Sequence, residues 1–188
     1  MDVLEVIRRR RTIKAQEMSA APVDRALLDE LFEAARWAPS HGATFPWRFV
    51  VFEGESRRGL LEVLWEISLD PGERRTGSDS RREKLERTVM NAPVVIGLGC
   101  ASSPLPKIIE HEEIASVAMA VENMHLVATA RGLGMAWSSG KKIFDARLAA
   151  FLGFEPPTRC LGLLYVGWPK GPWPTEERPA IGARVVWR

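Results

Sequence analysis

Residues 37–52 read WAPSHGATFPWRFVVF, and this stretch joins a helix to a strand through a short loop. Upstream, apolar residues recur at the spacing of one helix face, and Pro39 disfavours helical dihedrals at Ala38, so the helix is predicted to end there. At the C-terminal end, the run 49–52 is aromatic and β-branched and lies between a proline and a glycine. It predicts a strand covered on both faces. The loop between them carries Ser40, His41, Gly42 and Thr44.

The composition predicts one folded domain spanning residues 1–188. The chain has 188 residues, 46% of them apolar, which is enough for one full hydrophobic core. Its 26 basic and 24 acidic residues give a net charge of +2, which indicates neither a nucleic-acid partner nor a membrane partner. Cys100 and Cys160 lie in apolar runs, as is typical of buried free thiols in a reducing compartment. We expect a soluble, cytoplasmic protein, because no apolar stretch reaches the roughly 20 residues that span a bilayer and the N-terminus does not read as a secretory signal.

Hydrophobic periodicity predicts an α+β fold with several helices and four short strands. Besides the unit around residues 37–52, helices are expected near 3–7, 57–69, 84–90, 112–131 and 145–152, and strands near 93–100, 135–137 and 161–167. The sheet is predicted to be mostly antiparallel or mixed. The charged stretch 73–83 is predicted to be a mobile lid or surface loop, and the tail from Trp168 is predicted to wrap over a surface.

The helix predicted at 112–131 is apolar on nearly all of its faces. One apolar stripe runs from Ile114 to Ala128, and Met119 and Leu126 add apolar side chains on other sides. A helix of this kind lies either in a protein core or in an interface between subunits. Both positions remain open at this point.

A basic run, Arg8–Lys14, follows the first short helix. A phosphate group needs fixed positive charge and hydrogen-bond donors, and Arg10, Arg11 and Thr12 offer both. A run of arginines at the end of a helix can also be a solvated cationic terminus that is favourable to the helix dipole. The residues alone leave both interpretations open.

Other candidate positions also have a functional and a plain interpretation. The turn Trp137–Gly140 follows a buried strand, so its backbone N–H groups either point into a pocket or form a polar turn beside a core tryptophan. His41 is either a ligand contact or an ordinary loop histidine, and Trp37 either contacts a ligand or packs in the core. His111 and His125 do not have the spacing of paired metal ligands on a helix, so no metal site is predicted.

The unit around residues 37–52 resembles the helix-loop-strand signature of the nitroreductase family of FMN-dependent oxidoreductases. Ala38-Pro39-Ser40 and Pro46-Trp47-Arg48-Phe49 fit this signature, and a histidine at position 41 is typical of a subgroup of small, single-domain members. The chain departs from the family pattern at Ala43, where Asn is usual, and at Phe45, where Gln is usual.

The resemblance implies a nitroreductase-like α/β sandwich and a homodimer with the helix at 112–131 at its centre. It also implies an FMN site. The basic run is similar to the family's Arg-Arg-Ser motif, so Arg10 and Thr12, with Arg11 between them, would hold the FMN phosphate and ribityl chain. Lys14 would approach the pyrimidine edge of the flavin, where a cation favours the reduced form.

The remaining positions implied by the resemblance surround the flavin ring and the phosphate. Backbone donors of the turn after the third strand would reach the N5 and O4 region, His41 would contact the ring, and Trp37 would stack over it from the partner subunit. Arg178 would reach the phosphate. The turn consists of Trp137, Ser138, Ser139 and Gly140.

The activity implied by the resemblance is transfer of hydride from NADH or NADPH to an electron-poor small molecule such as a nitroaromatic or a quinone. Ala43 and Phe45 favour a more apolar pocket and larger hydrophobic acceptors. The alternatives are reductive dehalogenation, flavin modification, or flavin binding with little turnover. Nucleic-acid binding is disfavoured by the near-zero net charge. The sequence gives no support for a hydrolase or a P-loop enzyme, because it has no Gly-x-Ser-x-Gly or Walker motif.

Overall fold

The computed structural model describes residues 2–69 and 79–188. The helices in these ranges are α1 (Val3–Arg9), α2 (Arg25–Arg36), α3 (Ser56–Ser68), α4 (Asp79–Asn91), α5 (Glu110–Ala130) and α6 (Ala146–Phe151). The strands are β1 (Trp47–Glu53), β2 (Val94–Ala101), β3 (Gly134–Ser138) and β4 (Thr158–Gly167). Each helix and strand predicted above is present. Residues 73–78 of the predicted lid or surface loop lie outside the described ranges, and its last part, residues 79–83, is helical.

The four strands form one antiparallel sheet in the order β1-β2-β4-β3. β2 and β4 are the central pair, with Val94 opposite Val166. They are buried along most of their length because each has a strand on both sides and helices on both faces. The prediction of an α+β fold with an antiparallel sheet is confirmed.

Helices cover both faces of the sheet and make it a sandwich. α2 and α5 pack on one face around Leu31, Leu98 and Met124. α3 and α6 pack on the opposite face around Leu60 and Leu163. Successive strand residues point to opposite faces, so β2 and β4 supply both cores.

β1 is less covered than its sequence indicates. Phe52 is buried and Phe49 packs on Phe32 with 5.3 Å between ring centroids, but Val51 is 39% exposed. The prediction that both faces are covered is therefore wrong for part of the strand. The reason is its position at the sheet edge, where it pairs with β2 alone and carries exposed charged side chains.

α5 is a helix of 21 residues that packs against α2 and the sheet. Its own chain buries most of its sides, and a narrow stripe with Ala115, Met119 and Glu122 remains exposed. Even the buried part includes polar side chains: the carboxylate of Glu113 accepts the backbone N–H of Ser103 at 2.9 and 3.1 Å. Of the helices in the described ranges, none is long and apolar enough to cross a membrane.

Candidate functional site

The segment Arg10–Lys14, called the basic segment below, lies along the free edge of β3. Thr12 forms a parallel bridge with Met135, and the N–H of Ile13 donates to the Met135 carbonyl at 3.0 Å. Gly134 permits this approach, because a Cβ at that position would lie 2.6 Å from the Cβ of Ile13. The segment thus leads directly past the strand that ends in the predicted ligand-binding turn.

The extended conformation of the basic segment separates its side chains into two sets. Residues i, i+2 and i+4 of an extended chain point to one side, so Arg10, Thr12 and Lys14 share a face while Ile13 is buried at 1% exposure. Thr12 and Lys14 are exposed. A guanidinium, a hydroxyl and an ammonium therefore line one side of the same short stretch.

Arg11 points away from that face and binds the chain itself. Its guanidinium donates to the carbonyl oxygens of Arg8 at 2.7 Å, Arg10 at 2.8 Å and Glu176 at 2.7 Å. Its Nε is buried and has no hydrogen-bond partner among the described residues. The geometry therefore gives Arg11 a role in fastening the tail, and its predicted contact with a cofactor remains a prediction.

The tail crosses the basic segment, as predicted for a surface wrap. The indole N–H of Trp173 donates to the Arg9 carbonyl at 2.7 Å, and the Arg9 guanidinium lies 5.5 Å from the Trp173 ring. Further on, Arg178 forms an ion pair with Glu176 at 3.4 Å. Arg178 and the basic segment are thus brought to the same region by Glu176.

Arg10 is anchored by an ion pair with α5. Its Nε lies 3.3 Å from the Glu122 carboxylate of α5, and its side chain is 22% exposed. His125, one turn further along α5, is buried; burial lowers its pKa to about 4, and the charge of Arg10 acts in the same direction. His125 is therefore neutral at pH 7.

We expect the stability of the fold to fall by about 2 kcal/mol between pH 7 and pH 5 on account of His125. The unfolded chain takes up a proton near the ordinary pKa of 6.5 while the folded chain resists protonation down to about 4, so stability present above pH 6.5 is lost in this window. Urea unfolding of His125→Gln at both pH values should show a smaller loss. His111→Gln, at an exposed position of the same helix, serves as the matched control. If all three proteins lost the same stability between pH 7 and pH 5, this assignment to His125 would be contradicted.

The turn after β3 is open to solvent on the side of its small residues. Ser139 and Gly140 are exposed, and an added Cβ at Gly140 would meet nothing within 4 Å. Ser138 ends β3 opposite Leu163. Trp137 instead packs inward: its indole N–H donates to the Leu161 carbonyl at 3.1 Å, at an irregularity in the pairing of β2 with β4. The side chain of Trp137 is therefore structural, and only its backbone remains a candidate contact.

The loop Ser40–Phe45, called the His41 loop below, is held in a strained conformation. Ala43 and Phe45 have positive φ angles of 52° and 48°, in a region where side chains are disfavoured. Asn, the usual family residue at position 43, tolerates this region better than Ala. The N–H of Phe45 donates to the Ser40 hydroxyl at 2.9 Å and helps to hold the loop.

His41 faces the start of α5. Its Nε2 lies 3.8 Å from Oε2 of Glu112, and this buried oxygen accepts no hydrogen bond among the described residues. Trp37, at the end of α2, is 73% exposed, so ordinary core packing is excluded for it. His41 thus lies at the start of α5, and Trp37 precedes His41 by four residues in the chain.

The predicted site residues fall into two groups within one chain. Glu122 forms an ion pair with Arg10 of the basic segment, and Glu112 lies beside His41. These glutamates are ten residues apart on α5, which corresponds to about 15 Å. The structure therefore brings Arg10, Thr12 and Lys14 together beside β3, links Arg178 to the same segment through Glu176, and leaves Trp37 and His41 separate.

The sequence did not predict that Glu122 and Glu112 contact the candidate site residues. Glu122 is the sole charged residue between Ile114 and Ala130, and that isolation in an apolar helix could have marked it. Glu112 is one of three acidic residues in the first turn of α5, so nothing in the sequence distinguishes it.

A separate cavity of about 800 Å³ lies beside α6 and the start of β4, and it includes none of the predicted site residues.

Comparison with known proteins gives a family and a fold. A model described as the nitroreductase family matches residues 7–168. A Haemophilus influenzae protein named "Putative NAD(P)H nitroreductase" is 30% identical, with 89% of this chain and 88% of that protein covered. A 5,6-dimethylbenzimidazole synthase of Rhodospirillum rubrum is 29% identical over 86% of this chain and 80% of its own. The structure of the FMN and NADPH-dependent nitroreductase NfnB from Sphigopyxis sp. strain HMH has a TM-score of 0.77 at 20% identity, covering 100% of this chain and 99% of that one.

Proposed function

Because the chain belongs to the nitroreductase family, we propose that it is an FMN-dependent oxidoreductase acting as a single domain. It takes hydride from NADH or NADPH and passes it to an electron-poor acceptor such as a nitroaromatic or a quinone. With a quinone, one hydride and one proton give the hydroquinone and NAD(P)⁺. The observation that carries the proposal is the shared face of Arg10, Thr12 and Lys14 beside the open turn after β3.

The donors on this face fit FMN. The Arg10 guanidinium and the Thr12 hydroxyl suit the phosphate and ribityl chain, and the backbone N–H groups of the exposed residues Ser139 and Gly140 suit acceptor atoms on the ring. Lys14 would place a positive charge near the ring edge that gains negative charge on reduction. FMN itself supplies the two-electron chemistry. The chain's contribution is to anchor the phosphate, orient the ring and adjust its potential.

The direct test is the colour of the purified protein. We expect the chain loaded with FMN to be yellow, to bleach when NADPH or NADH is added without air, and to recover its colour when a quinone is added. A chain that cannot be loaded with FMN, or that stays yellow with both nicotinamide donors, would contradict the proposal.

A second candidate, an enzyme that modifies the flavin, is favoured by the likeness to the 5,6-dimethylbenzimidazole synthase. The two candidates differ in what happens to the colour. A reductase regains the full flavin absorbance on re-aeration in each cycle, whereas an enzyme that consumes flavin loses absorbance permanently. Chromatography of the flavin after many cycles distinguishes them.

We further propose that the chain acts as a homodimer. The separation of Trp37 and His41 from the basic segment supports this, because a two-fold axis can place one group of each chain beside the other group of its partner. So does the exposed apolar side of α1, next to α5, with Val3, Leu4 and Ile7 about half exposed or more.

Sedimentation should therefore give a dimer at micromolar concentration, and Leu4→Glu should weaken it by placing a charge on this apolar surface. Val186→Glu, at an exposed apolar position of the tail, is the matched control. A monomer that still retains FMN would contradict a site shared between chains.

A further inference from the structure

An aromatic cavity of about 490 Å³ lies at the end of α2 and is lined by Arg36, Trp37, Ala38, Phe45 and Trp47. We propose that it holds the aromatic ring of the electron acceptor, and that the class it selects is a nitroaromatic carrying an anionic group such as a carboxylate. This inference rests on the proposed function, including the homodimer, in which a two-fold axis would bring the cavity of one chain beside the FMN of its partner. The volume of the cavity lies in the usual range for sites that bind small molecules.

The walls of the cavity are aromatic side chains that the fold leaves uncovered. Trp37 is 73% exposed and Phe45 is 52% exposed. Phe45 meets Trp47 edge to face, with 5.8 Å between ring centroids and 60° between planes. Aromatic rings in this arrangement offer large apolar surfaces to a planar ligand at little cost in side-chain entropy.

The backbone at Phe45 shows that its ring is held in place against a local preference. A bulky residue at a φ of 48° is strained, and such strain persists where the surroundings enforce it. Here the Ser40 hydroxyl accepts the Phe45 N–H, and it also lies 3.3 Å from the Thr44 hydroxyl. The strained loop leaves Phe45 52% exposed, and a bound aromatic ligand would cover the exposed part of its ring.

The rim of the cavity supplies a positioned cation. Glu33 accepts hydrogen bonds from Arg36 at 2.6 Å and from the Trp37 indole N–H at 2.7 Å. The bond from Arg36, and to a smaller extent the bond from Trp37, holds the pKa of Glu33 below its usual range. The Arg36 guanidinium also lies 5.3 Å from the Trp37 ring. A guanidinium has five N–H donors, so a carboxylate can bind it beside Glu33. An anionic aromatic ligand would therefore find a flat apolar wall and guanidinium N–H donors at its edge.

The reaction balances without a further reagent. The nitro group gains two electrons and becomes a nitroso group, one N–O bond breaks, and the oxygen leaves as water with the hydride hydrogen and one proton. NAD(P)H is oxidised to NAD(P)⁺.

The experiment compares 4-nitrobenzoate with 4-nitrobenzamide, which has the same shape and no charge. Calorimetric titration into the FMN-loaded protein, without NAD(P)H, should give a Kd about 5- to 10-fold lower for the benzoate. Arg36→Gln should remove this preference, and Arg36→Lys should keep part of it. Phe45→Ala should weaken binding of both compounds about 2- to 10-fold. The KM values in turnover should follow the same order.

The matched control is Arg25→Gln, which removes an exposed arginine from the other end of α2 and should leave both Kd values unchanged. Equal affinity for the two compounds in the parent protein would overturn the proposal, and so would a preference that survives in Arg36→Gln. Binding that is insensitive to Phe45→Ala would do the same. Bleaching by NAD(P)H reports the proposed function separately, because the titration needs no turnover.

Discussion

The Arg10→Ala variant is expected to bind FMN about 10- to 150-fold more weakly than the parent protein, because it loses a charge-assisted contact to the phosphate. Arg10 is suited to this contact because Glu122 fixes its guanidinium at 3.3 Å while part of the side chain stays accessible. The variant should purify pale. Its affinity for riboflavin, which has no phosphate, should change much less.

Lys14→Ala is expected to fail in a different way. It should retain most of its colour but have a lower reduction potential, since a cation beside the ring edge favours the reduced form. FMN titration and potentiometry of both variants measure the two roles. Arg8→Ala, at an exposed position of α1, is the control for general loss of positive charge. Equal affinity losses in the Arg10 and Lys14 variants, with an unchanged potential, would show that the assignment of roles is wrong.

Gly162→Ala is expected to destabilise the fold by about 3 to 5 kcal/mol. Its φ is 152°, and an added Cβ would lie 2.2 Å from Trp137 Nε1 and 2.6 Å from the Ser138 carbonyl oxygen. The methyl group would therefore break the Trp137 hydrogen bond to Leu161 and displace the end of β3. Because the turn at Ser139 and Gly140 follows directly, FMN affinity should also fall.

Urea unfolding measures this effect, and Gly132→Ala separates its causes. Gly132 also has a positive φ, 78°, but a Cβ there would meet nothing within 4 Å, so its substitution reports backbone strain alone. We expect about 1 kcal/mol for Gly132→Ala. If the two variants lost the same stability, contact with Trp137 and Ser138 would not explain the requirement for glycine at position 162.

Hydrophobic pattern predicted the secondary structure well where packing agrees with it. α5 and β4 are both found within three residues of their expected ends, because long apolar periodic stretches have few alternative structures. The pattern failed at β1, because the composition of Phe49–Phe52 does not reveal that its strand lies at an edge. It also failed at residues 79–83, where a highly charged composition hides the first turn of α4.

The candidate site was predictable in its residue types and unpredictable in its pairings. Arg10, Thr12 and Lys14 could be selected from the sequence, and their common face depends on an extended conformation that the bridge to Met135 provides. The opposite orientation of Arg11 depends on the tail, 165 residues away. Contacts between parts so distant in sequence are set by tertiary structure, so no local pattern could have identified Glu176 or Glu122 as partners.

The pairing of the basic segment with β3 has a consequence for synthesis on the ribosome. The segment is made before its partner Met135, which is held in the sheet by β4, and β4 in turn pairs with β2. Because these pairings are non-local, they must wait until Thr158–Gly167 has left the exit tunnel. The hydrogen bond from Arg11 to the Glu176 carbonyl can form only later still, after Glu176 has been made. In the proposed FMN site, the basic segment is therefore made well before the parts that hold it in place, and FMN can be bound only after β4 and Glu176 have been made.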